Sequence, residues 1–275
     1  MHPDDYPPQE PFTDIGARYH AEVMRRGAGV TGVEIALGDD PYRALAVYPA
    51  EAPTGATLCL MHGGGWTNGY KEWMAFMAPP LTACGVTVVS IGYRLAPRRR
   101  FPTGWEDCLD AIAWVHAHIA DHGGDPTRLF LGGHSAGGHL AALAALRTDW
   151  LAPRGLPSDL VRGALPISGT YWFGPDSGLS MRPRFLGPED AETDRAASPL
   201  HHVRSGAPPF LIACGERDFP HLRAQAARFA DALEAASVPV ERLDLAGCDH
   251  LGASYAAGAA DGPWLAAARA LMQPG

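Results

Sequence analysis

Residues 129–147 read LFLGGHSAGGHLAALAALR and carry the strongest sequence signal for the fold. It begins with a short apolar run, passes through GHSAG at 133–137, and continues into an alanine-rich segment of helical character. Small residues two positions before and after a serine are what a nucleophile elbow needs, because a strand turns sharply into a helix there. Such a turn presents the serine oxygen at a helix N-terminus, where developing negative charge is favoured. We therefore predict that Ser135 is a nucleophile; the alternative is a glycine-rich strand end with a buried serine.

A second glycine motif, HGGGW at residues 62–66, directly follows the apolar run 57–61. Consecutive glycines let the backbone approach a ligand closely and aim N–H groups at it. This arrangement suits an oxyanion hole, which stabilises the charge on the tetrahedral intermediate of acyl transfer. A phosphate-binding loop is the competing interpretation, but it fails because Tyr70 separates Gly69 from Lys71.

Short apolar runs alternate with helical stretches along the chain. The apolar runs lie at residues 57–61, 86–91, 129–131 and 210–214, and the helical candidates at 73–84, 105–122, 136–147 and 222–236. Continuously apolar runs suit strands buried on both faces of a parallel sheet, and their alternation with helices indicates βαβ units. We predict an α/β fold, a mostly parallel central sheet with helices on both faces. Residues 42–48 alternate in polarity and are predicted to form a half-exposed strand.

The chain of 275 residues is predicted to form a single domain over 1–275, since no linker and no internal repeat divides it. Two segments, 1–30 and 170–206, break the alternation of strands and helices. Long irregular connections in compact domains are often lids or binding loops. We expect both segments to form a small cap or lid over one end of the sheet.

The two glycine motifs, in this order and with YRLAP at 93–97 between them, resemble those of α/β-hydrolases. The resemblance is to the esterase/lipase group related to hormone-sensitive lipase, and particularly to the branch of arylformamidases and small feruloyl-esterase-like enzymes. It spans roughly residues 33–272 and implies an α/β-hydrolase fold and a serine hydrolase that needs no cofactor. One residue departs from the lipase-like pattern, because His134 stands before the nucleophile where aspartate is common.

The family's chain order is serine, then aspartate or glutamate, then histidine, and two downstream residues fit it. Asp218 comes shortly after the apolar run 210–213, and His250 comes shortly after residues 240–245. The carboxyl ends of neighbouring parallel strands meet at one edge of an open α/β sheet, which is the edge that carries binding sites. We therefore expect both side chains close to the elbow.

These residues imply a division of roles. His250 removes the Ser135 proton, and Asp218 orients the imidazole and stabilises its charged form. Glu216 and Asp249 are competing carboxylates, although Asp249 adjoins the histidine and cannot easily face its ring. The backbone N–H groups expected to hold the oxyanion are those of Gly63, Gly64 and Ala136.

Aromatic residues cluster around the motifs and are expected to line a substrate pocket. The predicted pocket residues are Trp66, Tyr70, His134, Tyr171, Trp172 and Phe219. A pocket crowded by rings favours short acyl groups or planar aromatic substrates, so the leading hypothesis is a carboxylesterase acting on small esters. An arylformamidase cleaving N-formylkynurenine-like substrates would use the same groups, so the motifs do not separate the two. A non-catalytic hydrolase-fold ligand receptor is the third hypothesis; such receptors usually lose a catalytic residue.

Composition excludes several other classes. The chain has 22 basic and 30 acidic residues, a formal charge of −8 and one lysine, Lys71, so no nucleic-acid partner is expected. The five cysteines are scattered without C-x-x-C spacing, which argues against a disulfide framework or a zinc site. Residues 1–8 show neither a basic stretch nor an apolar region, and no apolar run is long enough to span a membrane. We expect a cytoplasmic protein that does not associate with membranes.

Neither a cofactor nor a metal is expected. His116, His118 and His122 fall on one predicted helix, but they are interpreted as a solvated helix end because no further ligand is apparent. A homodimer is expected only because it is the commonest oligomer.

Overall fold

The computed structural model describes residues 3–273. Residues 1, 2, 274 and 275 lie outside this range. The predicted cap segment 1–30 and the predicted domain 1–275 therefore each include residues that are not described.

Eight strands form one sheet in the order β1-β2-β4-β3-β5-β6-β7-β8. The strands are β1 Val33–Ala36, β2 Ala44–Tyr48, β3 Gly55–Met61, β4 Thr87–Ile91, β5 Gly124–His134, β6 Val161–Ile167, β7 Phe210–Gly215 and β8 Val240–Leu245. β2 pairs antiparallel with both of its neighbours, and the pairings from β4 to β8 are all parallel. The mostly parallel sheet expected from the apolar runs is confirmed.

Helices connect and flank the strands. The α-helices in the described residues are α1 Asp14–Arg26, α2 Ala78–Thr82, α3 Thr103–His118, α4 Ala136–Leu146, α5 Arg182–Leu186, α6 Ala191–Ala197, α7 Pro220–Ala235, α8 His250–Ala257 and α9 Pro263–Met272. The helix expected over 73–84 is divided into a 3₁₀ helix, Lys71–Met77, and the short α2. Pro79 and Pro80 at the start of α2 explain the division, because proline has no N–H to donate to the preceding turn.

The expectation that residues 42–48 form a half-exposed strand is wrong. All five residues of β2 are buried, since other elements cover the faces of this strand, among them the 3₁₀ helix Lys71–Met77 that packs on it. The alternation that suggested exposure came partly from Ala44 and Ala46, whose short side chains fit a buried face as well as an exposed one.

The absences predicted from composition can be compared with the described part of the chain. Between Pro3 and Gln273, no helix is long and apolar enough to cross a lipid bilayer. Over the same range, no three histidine, cysteine or carboxylate side chains converge in a way that could hold a metal ion. The cysteines in this range are free thiols. The cytoplasmic location and the homodimer remain predictions.

Candidate active site

Ser135 lies at a strained turn between β5 and α4. Its φ is +55°, a left-handed conformation that a serine adopts at a cost and that is typical of functional turns. Side chains at Gly133 or Gly137 would collide with the backbone oxygen of Met61 in β3, so only glycine fits at these two positions. Ser135 is partly exposed, which is contrary to the alternative of a buried serine at a strand end.

A chain of hydrogen bonds joins three of the predicted residues. Oγ of Ser135 lies 3.0 Å from Nε2 of His250, and Nδ1 of His250 lies 2.9 Å from Oδ1 of Asp218. Because a carboxylate only accepts, Nδ1 carries the proton and Nε2 is free to accept the serine proton. His250 is the first residue of α8, and Asp218 lies between β7 and α7. The carboxyl ends of β5, β7 and β8 thus bring together residues that are 83 and 32 positions apart (135 to 218, and 218 to 250).

The carboxylate is held in its ionised form. Burial raises the pKa of Asp218, but the hydrogen bond and the charge of His250 outweigh burial and lower this pKa to about 2. The backbone N–H of Phe219 also donates to Oδ1 at 2.7 Å. Asp218 is 4% exposed, so its charge acts on the imidazole with little screening by water.

The two competing carboxylates have other partners. Glu216 accepts a hydrogen bond from the backbone N–H of Gly247 at 2.7 Å. Asp249 caps α8 by accepting from the N–H of Gly252 at 2.7 Å. Neither carboxylate bonds to the ring of His250, so Asp218 is the carboxylate that the structure places there.

The loop after β3 lies beside the nucleophile. The N–H groups of Gly63 and Gly64 have no hydrogen-bond partner among the described residues, and Ala136, as the first residue of α4, has an N–H without an intrahelical acceptor. Gly64 has a φ of +107°, and a side chain there would collide with the carbonyl of Asn68. The three predicted oxyanion residues therefore supply donors close to Ser135.

The N-terminal segment fastens this loop, which sequence reasoning did not foresee. The side-chain amide of Gln9 bonds both backbone groups of Gly69, donating to its oxygen at 2.8 Å and accepting from its N–H at 2.9 Å. Asn68 donates to the carbonyl of Glu10 at 2.5 Å. No local pattern marks Gln9, because its partner lies 60 residues away.

A cavity of about 330 Å³ opens at the hydrogen-bonded chain. Its lining residues come from the N-terminal segment, the glycine loop and the 3₁₀ helix after it, the elbow, the segment before α5, the loop before α7 and the start of α8. They are Thr13, Ile15, Gly16, Tyr19, Gly64, Gly65, Thr67, Asn68, Trp73, His134, Ser135, Ser180, Met181, Phe219, His250 and Leu251. Both segments that were expected to form a cap contribute to this lining. Of the predicted pocket residues, His134 and Phe219 lie on the cavity.

The prediction is wrong for the other four pocket residues, which do not line the cavity. Trp66 stacks on Phe185 with ring centroids 4.3 Å apart, and Tyr171 stacks on Phe229 at the same distance. Tyr70 packs on Tyr6 at 4.9 Å, and the guanidinium of Arg228 lies 4.9 Å from the ring of Trp172. These rings join residues 170–206 and the N-terminal segment to the body of the molecule, where burying a large apolar surface stabilises the fold.

Tyr19 of α1 and Trp73 form much of the aromatic wall instead. Their rings meet edge to face with centroids 5.1 Å apart. Tyr19 is also hydrogen-bonded to Ser254 of α8, with 2.8 Å between the two hydroxyl oxygens. Trp73 follows the glycine loop and could be suspected from sequence, but no nearby motif pointed to Tyr19.

Three buried histidines lie around the site and are neutral. Burial lowers the pKa of His62 to about 4, of His134 to about 3 and of His139 to about 4. His139 illustrates why, because both ring nitrogens are engaged: Nδ1 accepts from the indole of Trp66 at 3.0 Å, and Nε2 lies 2.8 Å from the carbonyl oxygen of Ala197. Protonating Nδ1 as well would remove this acceptor and break the hydrogen bond from Trp66.

These histidines predict a loss of stability in mild acid. In the unfolded chain each of these histidines has a pKa of ~6.5. In the folded chain they become protonated only at about pH 4 or below. The unfolded state then binds more protons, so the free energy of unfolding falls as the pH drops below ~6.5, by up to ~1.4 kcal/mol per pH unit for each histidine. Urea denaturation at pH 7.5 and 5.5 should show a decrease of a few kcal/mol. Asp218 does not contribute in this range, because its stabilisation is lost only below pH ~3.9.

A matched variant tests the origin of this effect. A glutamine at position 139 can both accept and donate without titrating, so His139→Gln should reduce the difference in the free energy of unfolding between the two pH values by about 1 kcal/mol. Equal stability of the wild-type protein at the two pH values would contradict the prediction.

Comparison with known proteins agrees with this geometry. A family model described as the alpha/beta hydrolase fold matches residues 58–253. The chain therefore belongs to the α/β-hydrolase fold family.

Individual relatives include esterases and a formamidase. The chain is 33% identical to esterase LipC of Mycobacterium tuberculosis over 287 aligned residues, covering 95% of the chain and 69% of LipC. It is 28% identical to kynurenine formamidase of Danio rerio, covering 90% and 86% of the two chains. It spans about half the length, 49%, of esterases LipQ and LipM of M. tuberculosis. Among solved structures, the carboxylesterase EstE1 from a metagenomic library superposes with a TM-score of 0.76 at 23% identity, covering 95% and 97% of the chains, which supports the shared fold.

Proposed function

We propose that this chain is a serine carboxylesterase that hydrolyses small, uncharged esters. The observation that carries the proposal is the hydrogen-bonded chain Ser135–His250–Asp218, which opens into an apolar cavity beside the unpaired N–H groups of Gly63 and Gly64. Esterases among its relatives support the same reaction class.

The reaction proceeds through an acyl-enzyme. His250 accepts the Ser135 proton at Nε2 as Oγ attacks the acyl carbon, and Asp218 stabilises the imidazolium through Nδ1. The N–H groups of Gly63, Gly64 and Ala136 donate to the oxyanion. The imidazolium then returns the proton to the departing alcohol, and water, activated by the same histidine, releases the acid.

The cavity's lining supports an uncharged substrate. None of its lining residues is an aspartate, glutamate, lysine or arginine. Burying an ionised group without a partner is costly, so a zwitterionic amino acid would bind poorly there. N-formylkynurenine carries both an ammonium and a carboxylate group, and this favours a neutral ester over that formamide. The second candidate, an arylformamidase, is favoured by the similarity to kynurenine formamidase along most of both chains.

A substrate series tests the proposal. The kcat/KM values of p-nitrophenyl acetate, butyrate, octanoate and decanoate are compared with those of formanilide and N-formylkynurenine. We expect the short esters to be the best substrates and decanoate to be at least about tenfold slower, because a cavity of about 330 Å³ crowded by rings has little room for a long chain. Decanoate as the best ester would contradict the size argument.

The two formamides separate the effect of bond type from that of charge. Formanilide is uncharged, so hydrolysis of formanilide without hydrolysis of N-formylkynurenine would support exclusion of the charged substrate. Turnover of N-formylkynurenine far above that of every ester would replace the esterase by the arylformamidase. Absence of turnover with all six compounds would favour the non-catalytic receptor.

A further inference from the structure

His134, the residue before the nucleophile, contacts two parts of the proposed catalytic machinery, His250 and Gly63. It is the last residue of β5 and is 2% exposed. Its Nε2 lies 2.9 Å from the carbonyl oxygen of His250, and the two rings lie 4.7 Å apart. On its other side, Nδ1 lies against Gly63. A Cβ atom built on Gly63 would lie 3.1 Å from this nitrogen.

The hydrogen bond fixes the tautomer of this ring. A carbonyl oxygen only accepts, so the proton is on Nε2 of His134. Nδ1 is buried and has no hydrogen-bond partner among the described residues. Because this nitrogen is shielded, His134 offers no accessible polar atom there to a substrate, although its ring forms part of the cavity wall.

We infer that His134 is a positioning residue that ties the nucleophile elbow to the backbone of His250 through its Nε2–H. The inference deepens and rests on the proposed function. Ser135 and His250 belong to separate elements, and this bond joins the neighbour of one directly to the main chain of the other. The distance of 3.0 Å between Oγ and Nε2 across which the proton moves is thereby held.

The ring of Tyr19 in α1 packs on the ring of His134. The two ring centroids lie 5.3 Å apart, and the hydroxyl of Tyr19 bonds to Ser254, one turn along α8 from His250. The second contact acts directly on α8, and the first acts on the ring that bonds to the first residue of α8. A neutral His134 is also required, since a second positive charge beside the imidazolium would oppose its formation.

Three variants test the role. The amide nitrogen of glutamine reaches about as far as Nε2 of histidine, so His134→Gln should keep kcat for p-nitrophenyl acetate within about fivefold of wild type. The methionine in His134→Met fills similar space but has no hydrogen-bond donor. The asparagine in His134→Asn has a donor, but its side chain is too short to reach the carbonyl oxygen of His250. Both should lower kcat by about 10- to 100-fold with KM within about threefold, because a displacement of the order of 1 Å can cost that much in rate.

Matched controls use another histidine that contacts a carbonyl. His116 of α3 lies with Nδ1 3.1 Å from the carbonyl oxygen of Pro126, outside the cavity lining. His116→Gln and His116→Met should leave kcat within twofold. Thermal unfolding identifies any variant that does not fold; if His134→Met is such a variant, the Asn and Gln variants carry the comparison.

The outcomes separate this inference from the proposed function. The positioning role is overturned if His134→Met and His134→Asn leave kcat unchanged, or if kcat of His134→Gln falls as far as theirs. It is also overturned if these variants raise KM while kcat stays constant. In each of these cases the proposed esterase activity stands. If wild type hydrolyses the ester no faster than Ser135→Ala, the proposed function fails, and the inference fails with it.

Discussion

Ser135→Ala is expected to lower kcat/KM for p-nitrophenyl acetate by at least about 10⁴-fold. The variant loses the oxygen that forms the acyl-enzyme, and His250 is left with no proton to accept at Nε2, 3.0 Å away. The remaining rate comes only from substrate binding and the oxyanion donors. The fold should be unaffected, because alanine keeps the backbone N–H that bonds to the carbonyl of Ile167 at 2.9 Å.

A surface serine provides the control for this variant. Ser158 is exposed and lies outside the cavity lining, so Ser158→Ala should retain wild-type kcat/KM. Thermal unfolding of both variants should match that of wild type within a few degrees. Residual turnover of Ser135→Ala near the wild-type rate would remove this serine from the mechanism.

Asp218→Asn is expected to lower kcat by about 10³- to 10⁴-fold with little change in KM. The amide is nearly isosteric, so it should fit the site, where Asp218 is 4% exposed. It has no charge to stabilise the imidazolium, and its NH₂ group can favour the tautomer that carries the proton on Nε2. In that tautomer His250 cannot accept the proton of Ser135. Initial rates with p-nitrophenyl acetate give both constants.

The neighbouring carboxylates make this experiment specific. Glu216→Gln and Asp249→Asn remove the same charge at nearby positions whose hydrogen bonds go to backbone N–H groups. Asparagine can also cap a helix, so α8 should persist in Asp249→Asn. Both variants should retain kcat within about threefold. A loss in either of them equal to that in Asp218→Asn would mean that general charge at this edge, and not the bond to His250, supports catalysis.

Most of the fold could be predicted from sequence because its signals are local. Continuous apolar runs marked β3, β4, β5 and β7, and glycines marked the loops that approach one another. The predictions failed where neighbouring elements decide the outcome. Ala44 and Ala46 are buried because other elements cover the faces of β2, and two prolines divide the helix expected over 73–84.

In the candidate site, the residues that follow the strands could be predicted from sequence, whereas most residues that line the cavity could not. Ser135, Asp218 and His250 follow strands of a parallel sheet, and the carboxyl ends of such strands meet at one edge whatever the side chains between them. Trp66 lies next to the glycine loop in sequence but packs on Phe185, whereas Tyr19 is remote in sequence and lines the cavity.

Where the chain turns and which groups follow each strand can be deduced from the amino-acid sequence alone, because those properties depend on steric limits within a few residues. Gly133 and Gly137 leave room for the elbow that exposes Ser135, and no other residue fits there. Which rings line the cavity and which contacts His250 makes depend on how distant elements pack together. Tyr19 and Ser254 are 235 residues apart, and His134 and His250 are 116 apart. Such contacts arise from packing between whole elements, which no local pattern encodes.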